Sequence, residues 1–135
     1  MNKQSAKKWL KSALADLKNI EHILEDDFLT HIVAFHSQQC TEKCFKAILE
    51  LKSKKVPRIH STINLFGLVK NEIQLNMDKN ILIDFDDLYI EARYPGNFGL
   101  LPNGKPTKAD AETFYKFAKD IYDKVELLVK NSEAN

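Results

Sequence analysis

Apolar residues recur every three or four positions along most of this chain, and lysines and acidic residues fill the positions between them. This period is typical of amphipathic α-helices. The first run predicts a helix from about Ser5 to Glu25, with lysines on its outer side. Its apolar members are Trp9, Ala13, Leu17, Ile20 and Leu24. Asp26 and Asp27 interrupt the pattern and end this helix.

A second helical run follows directly and carries an apolar stripe on one side. It begins at Phe28 or Leu29 and continues to about Lys52. The residue before Pro57 is pushed out of helical geometry, so the helix must end ahead of that proline. The stripe consists of Leu29, Val33, Cys40, Ala47 and Leu51, with Cys44 alongside.

Two further helices are predicted in the middle of the chain. Ser61 or Thr62 can act as the N-cap of a third helix, roughly Ile63 to Gln74. Asp78 can cap a fourth helix that continues through Arg93. The dense apolar run at 81–85 leaves a strand as an alternative, but Leu88 and Ala92 continue the helical spacing and favour a helix.

The last part of the chain predicts a loop and a final helix. Residues 94–106 contain three of the four prolines and three of the four glycines, which indicates one long loop. Thr107 is the expected N-cap of a helix that runs to about Lys130. Short connections make neighbouring helices roughly antiparallel. The sequence therefore predicts a single all-α domain, residues 1–135, built as an up-and-down four-helix bundle with an additional short helix.

Composition and charge exclude several classes of protein. The 135 residues are 44% hydrophobic and 29% charged, which is typical of a globular domain rather than a disordered chain. The net charge is only +1, so strong nonspecific binding to nucleic acid is not expected. No apolar run approaches the roughly 20 residues that span a bilayer, and the first residues lack the apolar core of a signal peptide. We expect a cytoplasmic protein.

Polar side chains line the edge of the stripe on the second helix. His36, Gln39 and Lys43 lie within about 60° of each other on a helical wheel. A ring, an amide and an ammonium group spaced one turn apart suit an anion or a nucleobase. In the alternative interpretation, His36 donates to a carbonyl or carboxylate, and Lys43 pairs with a carboxylate such as Asp16 if the first two helices pack side by side.

Several motifs together resemble a known family. They are Phe35-His-x-Gln-Gln-x-x-Glu-Lys-x-x-Lys-Ala-x-Leu, Pro57-x-x-His60-Ser, Tyr89 and Arg93-Tyr94-Pro95, in this order along nearly the whole chain. This pattern resembles the HEPN (higher eukaryotes and prokaryotes nucleotide-binding) family. The resemblance implies an all-helical bundle that usually forms a homodimer. Many small HEPN proteins are paired with a minimal nucleotidyltransferase in toxin–antitoxin-like modules, and the domain has been proposed to bind nucleotides.

Other members of the family are metal-independent ribonucleases. Their signature is an arginine followed, after four to six residues, by a histidine near the final helix. In this chain Arg93 is followed by no histidine, and Arg58 precedes His60 by only two positions. Neither arginine therefore belongs to a ribonuclease motif of this kind. The departure favours a non-catalytic or partner-dependent member. Together with the resemblance, it implies a non-catalytic protein that binds a nucleotide or RNA and is the partner of a minimal nucleotidyltransferase.

The candidate ligand site combines residues from three parts of the chain. They are His36, Gln39, Lys43, His60, Arg93 and Tyr94. Free N–H groups at the start of the third helix would also attract an anion. Two alternatives remain open: a ribonuclease that uses His36 or His60 with Arg93, and a purely structural adaptor. His60 can simply stabilise the turn before its helix, and Arg93 can cap the helix that it ends.

No cofactor and no metal is expected. Cys40 and Cys44 lie four residues apart within a helix, a spacing typical of buried neighbouring thiols rather than of a disulfide. Together with His36 they could supply three zinc ligands, but no fourth ligand with a recognisable spacing follows.

Overall fold

The computed structural model describes residues 2–91 and 104–132. These residues form five α-helices: α1 (Lys3–Ile23), α2 (Thr30–Leu51), α3 (Thr62–Val69), α4 (Lys79–Glu91) and α5 (Lys108–Asn131). A single 3₁₀ turn, Asp27–Leu29, leads into α2. The predicted all-α bundle with one short helix is confirmed. Within the described ranges, no helix is long and apolar enough to cross a membrane.

Helix α2 is the centre of the bundle, because it packs against each of the other four α-helices. Its buried positions face in several directions, so it has almost no solvent-facing side in its second half. The N–H of Asn2 donates to the carbonyl of Leu51 at 3.3 Å, which sets α1 antiparallel to α2. The hydroxyl of Thr30 donates to the carbonyl of Pro106 at 2.7 Å, which brings the starts of α2 and α5 together.

The helix ends follow local chemistry. The side chain of Asn2 caps α1 by accepting from the N–H of Ser5 at 3.0 Å. Thr107 caps α5 as predicted, in a reciprocal capping box with Asp110. Helix α2 ends at Leu51, close to the predicted Lys52, because Ser53 adopts a left-handed backbone with φ 55°.

Some predicted boundaries were wrong. Helix α2 begins at Thr30 rather than at Phe28 or Leu29, since Asp26 accepts from the N–H of Phe28 and starts a 3₁₀ turn instead. Helix α3 ends at Val69, not at Gln74. Helix α4 is described as far as Glu91, so its predicted end at Arg93 lies outside the described residues, as does most of the predicted loop.

The residues that follow α3 make tertiary contacts outside a helix. Beyond Val69 the chain turns so that the carboxylate of Glu72 reaches the ammonium of Lys54, 2.9 Å away, in the connection after α2. Ile73 and Leu75 then pack against the core from outside a helix. Ile73, which lies within the predicted range of the third helix, therefore contacts the core without being helical.

Candidate functional site

A buried carboxylate joins α1 to α2. Asp16 accepts from the ammonium of Lys43 at 2.8 Å, and its other oxygen lies 2.9 Å from Nδ1 of His36. His36 and Lys43 are two turns apart on α2, so both can reach the same group on α1. We call these three residues the Asp16 cluster. The predicted pairing of Lys43 with Asp16 is confirmed, and the contact of His36 with a carboxylate is confirmed with it.

A second carboxylate, Glu42, is the centre of a deeper cluster. Its side chain is 5% exposed, and the ammonium of Lys46 donates to it at 3.0 Å from a side chain that is 6% exposed. Nδ1 of His60 lies 3.2 Å from the same carboxylate. Lys46 also lies over the ring of Trp9, 5.5 Å from its centroid. We call Gln38, Glu42, Lys46 and His60 the Glu42 cluster.

Two glutamines extend the Glu42 cluster towards the surface. The amide of Gln38 donates to Glu42 at 3.2 Å and to the backbone carbonyl of His60 at 3.0 Å. The amide of Gln39 donates in turn to the side-chain oxygen of Gln38 at 2.6 Å. The predicted line of His36, Gln39 and Lys43 is therefore divided. His36 and Lys43 bind to Asp16 on α1, whereas Gln39 donates to Gln38 on α2 itself.

The imidazole of His60 forms one wall of a surface groove. It stacks on the ring of Tyr89 from α4, with centroids 4.7 Å apart and planes inclined by 25°. The groove has a volume of about 360 Å³ and is lined by Ile59, His60, Ser61, Asn64, Asp86, Tyr89 and Ile90. The side chain of His60 is 48% exposed, so its ring combines a buried carboxylate contact with access from solvent. We call this space the His60–Tyr89 groove.

The backbone N–H groups at the start of α3 already bind a side-chain carboxylate. Asp86 accepts from the hydroxyls of Ser61 and Thr62 at 2.7 and 2.8 Å, and from the N–H groups of Thr62 and Ile63 at 2.6 and 3.3 Å. Ser61, one of the two predicted N-caps, also accepts from the N–H of Asn64. The prediction of free N–H groups for an external anion was wrong here, because an internal carboxylate binds them.

The structure therefore brings only part of the predicted site together. His36 and Lys43 meet at Asp16, His60 belongs to the Glu42 cluster, and Gln39 donates to Gln38 of that cluster. Arg93 and Tyr94 lie outside the described residues. Sequence reasoning did not include Gln38, Glu42, Lys46, Asp86 and Tyr89 in the site. One available signal was the apolar pair Phe45 and Leu49, which lies opposite the recognised stripe and indicates a helix buried on both sides.

The two cysteines are buried in the core of the bundle. Cys40 and Cys44 are fully buried, and the thiol of Cys40 points to the carbonyl of Ala118 on α5, 4.0 Å away. Burial raises the pKa of the Cys44 thiol well above its usual value, and a protonated thiol is a poor metal ligand. Within the described ranges, no group of three or more side chains is arranged to hold a metal ion. His36, the imagined third ligand, binds Asp16 instead.

Each of the two clusters pairs an imidazole with a carboxylate. Such pairs fix ring orientation and are used in general acid–base chemistry when a substrate can reach the second ring nitrogen. Cleavage of RNA also requires a cation on the phosphate. The ammonium groups that share a carboxylate with the two imidazoles, those of Lys43 and Lys46, are bound to Asp16 and Glu42. In both clusters one carboxylate therefore holds an imidazole and an ammonium group together.

Replacing Lys43 with methionine is expected to change the free energy of unfolding by less than about 1 kcal/mol. The ammonium is near the surface, with the side chain 21% exposed, and Asp16 keeps its contact with His36. Urea denaturation of the variant measures the change, with Lys116→Met at an exposed position of α5 as the control. A loss above about 3 kcal/mol, the range of a broken buried ion pair, would contradict this interpretation.

Comparison with known proteins agrees with this architecture. A family model described as the HEPN domain matches residues 6–128, which include parts of all five α-helices. The crystal structure of an archaeal HEPN homologue has the same fold, with a TM-score of 0.62 and 23% sequence identity over 92% of this chain and 97% of that chain. A search of curated proteins finds no match. On the extent of the family match, the chain belongs to the HEPN domain family.

Proposed function

We propose that this protein is a non-catalytic HEPN protein that binds a nucleotide or an RNA base in the His60–Tyr89 groove. In the proposed setting it is a homodimer and the partner of a minimal nucleotidyltransferase, within a two-component module of the toxin–antitoxin type. The stacked, half-exposed imidazole of His60 is the observation that supports ligand binding most directly. The family resemblance supports the proposed homodimer and the proposed nucleotidyltransferase partner.

The half-exposed ring of His60, stacked on Tyr89, suits a nucleobase. Proteins commonly recognise unpaired bases by stacking them on His, Tyr or Phe, since every base has a flat face. The ring of His60 is held in place from two sides, by Tyr89 and by the carboxylate of Glu42. A platform that is fixed before binding loses little conformational entropy when the ligand arrives.

Polar groups near the stack supply contacts for the rest of a nucleotide. The amide of Asn64 lines the groove and can donate to or accept from a base edge. Arg58 is exposed and lies two residues before His60, where it can pair with a phosphate. Arg93 and Tyr94, which follow α4 in the sequence, are proposed as further contacts.

The proposal excludes catalysis because of how the chain departs from the ribonuclease pattern. No histidine follows His60 in the sequence, so the arginine–histidine motif of the ribonuclease members is absent. His36 and His60 both direct Nδ1 to a carboxylate, which gives them a structural role in the bundle. Labelled transfer and messenger RNA should therefore stay intact with a molar excess of protein. Specific cleavage that is lost in His60→Ala would overturn the non-catalytic assignment.

Replacing His60 with alanine is expected to weaken ligand binding about tenfold, since stacking on an aromatic ring contributes roughly 1–3 kcal/mol per base. Isothermal titration with ATP, GTP and a short single-stranded RNA provides the measurement. His22→Ala is the matched control, because His22 is an exposed histidine on α1 away from the groove. Equal affinities for the wild type and both variants would remove the groove from the proposal.

The adaptor alternative makes a different prediction for the same experiment. This alternative predicts no heat change in titrations with any of the three ligands. It also predicts that a nucleotidyltransferase encoded next to this chain co-purifies with it. Sedimentation of the isolated protein measures the proposed homodimer independently of any ligand.

A further inference from the structure

A second groove runs between α1 and α5, and its lining shares no residue with the His60–Tyr89 groove. Its volume is about 450 Å³. Lys3, Lys7 and Lys11 recur every four residues and form a row along the α1 side, while Lys130 stands on the α5 side. We call this space the lysine groove.

Within residues 2–91 and 104–132, most lysines of this groove form no ion pair. Lys3 is fixed in place, because its ammonium donates to the carbonyls of Lys130 and Ser132 at 3.3 and 3.2 Å. In the part of the chain that the structure describes, Lys7, Lys11 and the ammonium of Lys130 form no ion pair. Unpaired like charges on one surface repel each other, so an acidic ligand would relieve that repulsion.

The floor of the lysine groove is apolar. Leu10 and Val129 are almost completely buried, and Leu14 is half-buried against the core. The hydroxyl of Tyr122 donates to Glu126 at 3.2 Å. Burial and the nearby Glu126 raise the pKa of Tyr122, which keeps the phenol neutral at the bottom of the groove. A ligand must therefore present an apolar face to the floor and negative charge to the rim.

We propose that the lysine groove docks an amphipathic helix of a partner protein, with apolar side chains on its inner face and acidic side chains along its edges. From Lys3 to Leu14 the groove follows α1 for about 16 Å, which is the length of three helical turns. A helix laid between two antiparallel helices continues the packing of the bundle. The four lysines face a single glutamate, Glu126, so the complementary helix edges are acidic.

Other ligand classes match the groove less well. Proteins usually bind nucleic acid through arginine guanidinium groups and exposed aromatic rings. In this groove the charged residues of the rim are lysines, and the floor is aliphatic apart from the buried Tyr122. A fatty acid requires a pocket that encloses most of its surface. This groove is open along its rim, where Lys7, Lys11 and Lys130 are all exposed.

The test uses a synthetic peptide of about four turns, with leucines at helical spacing and glutamates on both flanks, labelled for fluorescence anisotropy. A scrambled peptide of the same composition is the ligand control. We expect the wild type to bind the helical peptide, and the double variant Lys7→Glu/Lys11→Glu to bind it at least about tenfold more weakly. The variant Lys8→Glu/Lys116→Glu has the same charge change at exposed positions outside the groove and should bind normally.

Two further measurements locate the site. Affinity should fall as salt rises from about 0.05 to about 0.5 M, because exposed charges are screened. In ¹⁵N spectra of the wild type, the peptide should shift amide signals of α1 and α5 around Leu14 and Val129. Circular dichroism confirms that each variant is folded before its affinity is compared.

Several results would overturn the proposal. Equal peptide affinity in both double variants would show that the groove is not the binding site. Binding of a short RNA or of oleate, but not of the peptide, would assign the groove to another ligand. Loss of self-association in Lys7→Glu/Lys11→Glu, without peptide binding by the wild type, would assign it to a second copy of the chain. His60→Ala should bind the peptide normally, so this test is independent of the nucleotide proposal.

Discussion

Replacing Glu42 with leucine is expected to lower the free energy of unfolding by about 3–5 kcal/mol, the usual effect of removing one partner of a buried ion pair. Lys46 would keep its ammonium in a site where its side chain is only 6% exposed. The amide of Gln38 and Nδ1 of His60 would lose the same acceptor. Urea denaturation followed by far-UV circular dichroism measures the loss.

The second substitution separates the charge effect from the loss of packing. In the double variant Glu42→Leu/Lys46→Met, no buried ammonium is left unpaired, and we expect most of the stability to return, since an apolar pair of similar volume often replaces a buried ion pair without loss. Glu112→Leu at an exposed position of α5 is the surface control and should stay within about 0.5 kcal/mol of the wild type. Equal losses in the single and double variants would contradict the role assigned to Lys46.

This prediction differs from that for Lys43→Met because burial differs between the two clusters. Asp16 is itself buried, but the side chain of Lys43 is 21% exposed, so water can solvate its ammonium, and Asp16 keeps a second partner in His36. The Glu42 cluster is covered by α1 and by the segment that leads into α3, through Trp9 and His60. The deeper cluster also holds the ring that forms the proposed binding platform. The stability of the protein and its affinity for the ligand should therefore both fall in Glu42→Leu.

Much of the bundle was predictable because its signals are local. The apolar stripe on α2 is periodic, and Val33, Cys40, Ala47 and Leu51 are all buried in the structure. Thr107 caps α5 because its hydroxyl can accept from an N–H three residues ahead, a contact set by local sequence. To predict the pairing of Lys43 with Asp16, only one tertiary assumption was needed, namely that the first two helices pack together.

The Glu42 cluster was harder to predict. Glu42 and Lys46 are four residues apart, and that spacing is more typical of a solvent-exposed pair on a helix surface. Their burial depends on a tertiary contact with Trp9 and His60, which no local pattern specifies. Tyr89 and Asp86 reach the site from α4 for the same reason. The residues that hold His60 in place were missed because several separate segments bring them together.

Replacing Asp86 with alanine is expected to lower the free energy of unfolding by about 2–3 kcal/mol, because hydrogen bonds to a charged acceptor contribute roughly 1.5–3 kcal/mol and those sharing one carboxylate are not additive. The variant would leave the N–H groups of Thr62 and Ile63 without their acceptor at the start of α3. Asp87→Ala removes a neighbouring exposed carboxylate and should change stability by less than about 0.5 kcal/mol.

The vacated helix start should then bind an external anion. Sulfate stabilises folded proteins in general by exclusion from their surface, so the informative quantity is the gain of Asp86→Ala beyond that of the wild type and Asp87→Ala at equal ionic strength. We expect an additional gain in the Asp86 variant alone, since N–H groups at a helix N-terminus bind anions. Equal gains in all three proteins would contradict this. In the wild type, the carboxylate of Asp86 repels a phosphate, so a nucleotide stacked on His60 should direct its phosphate away from α3.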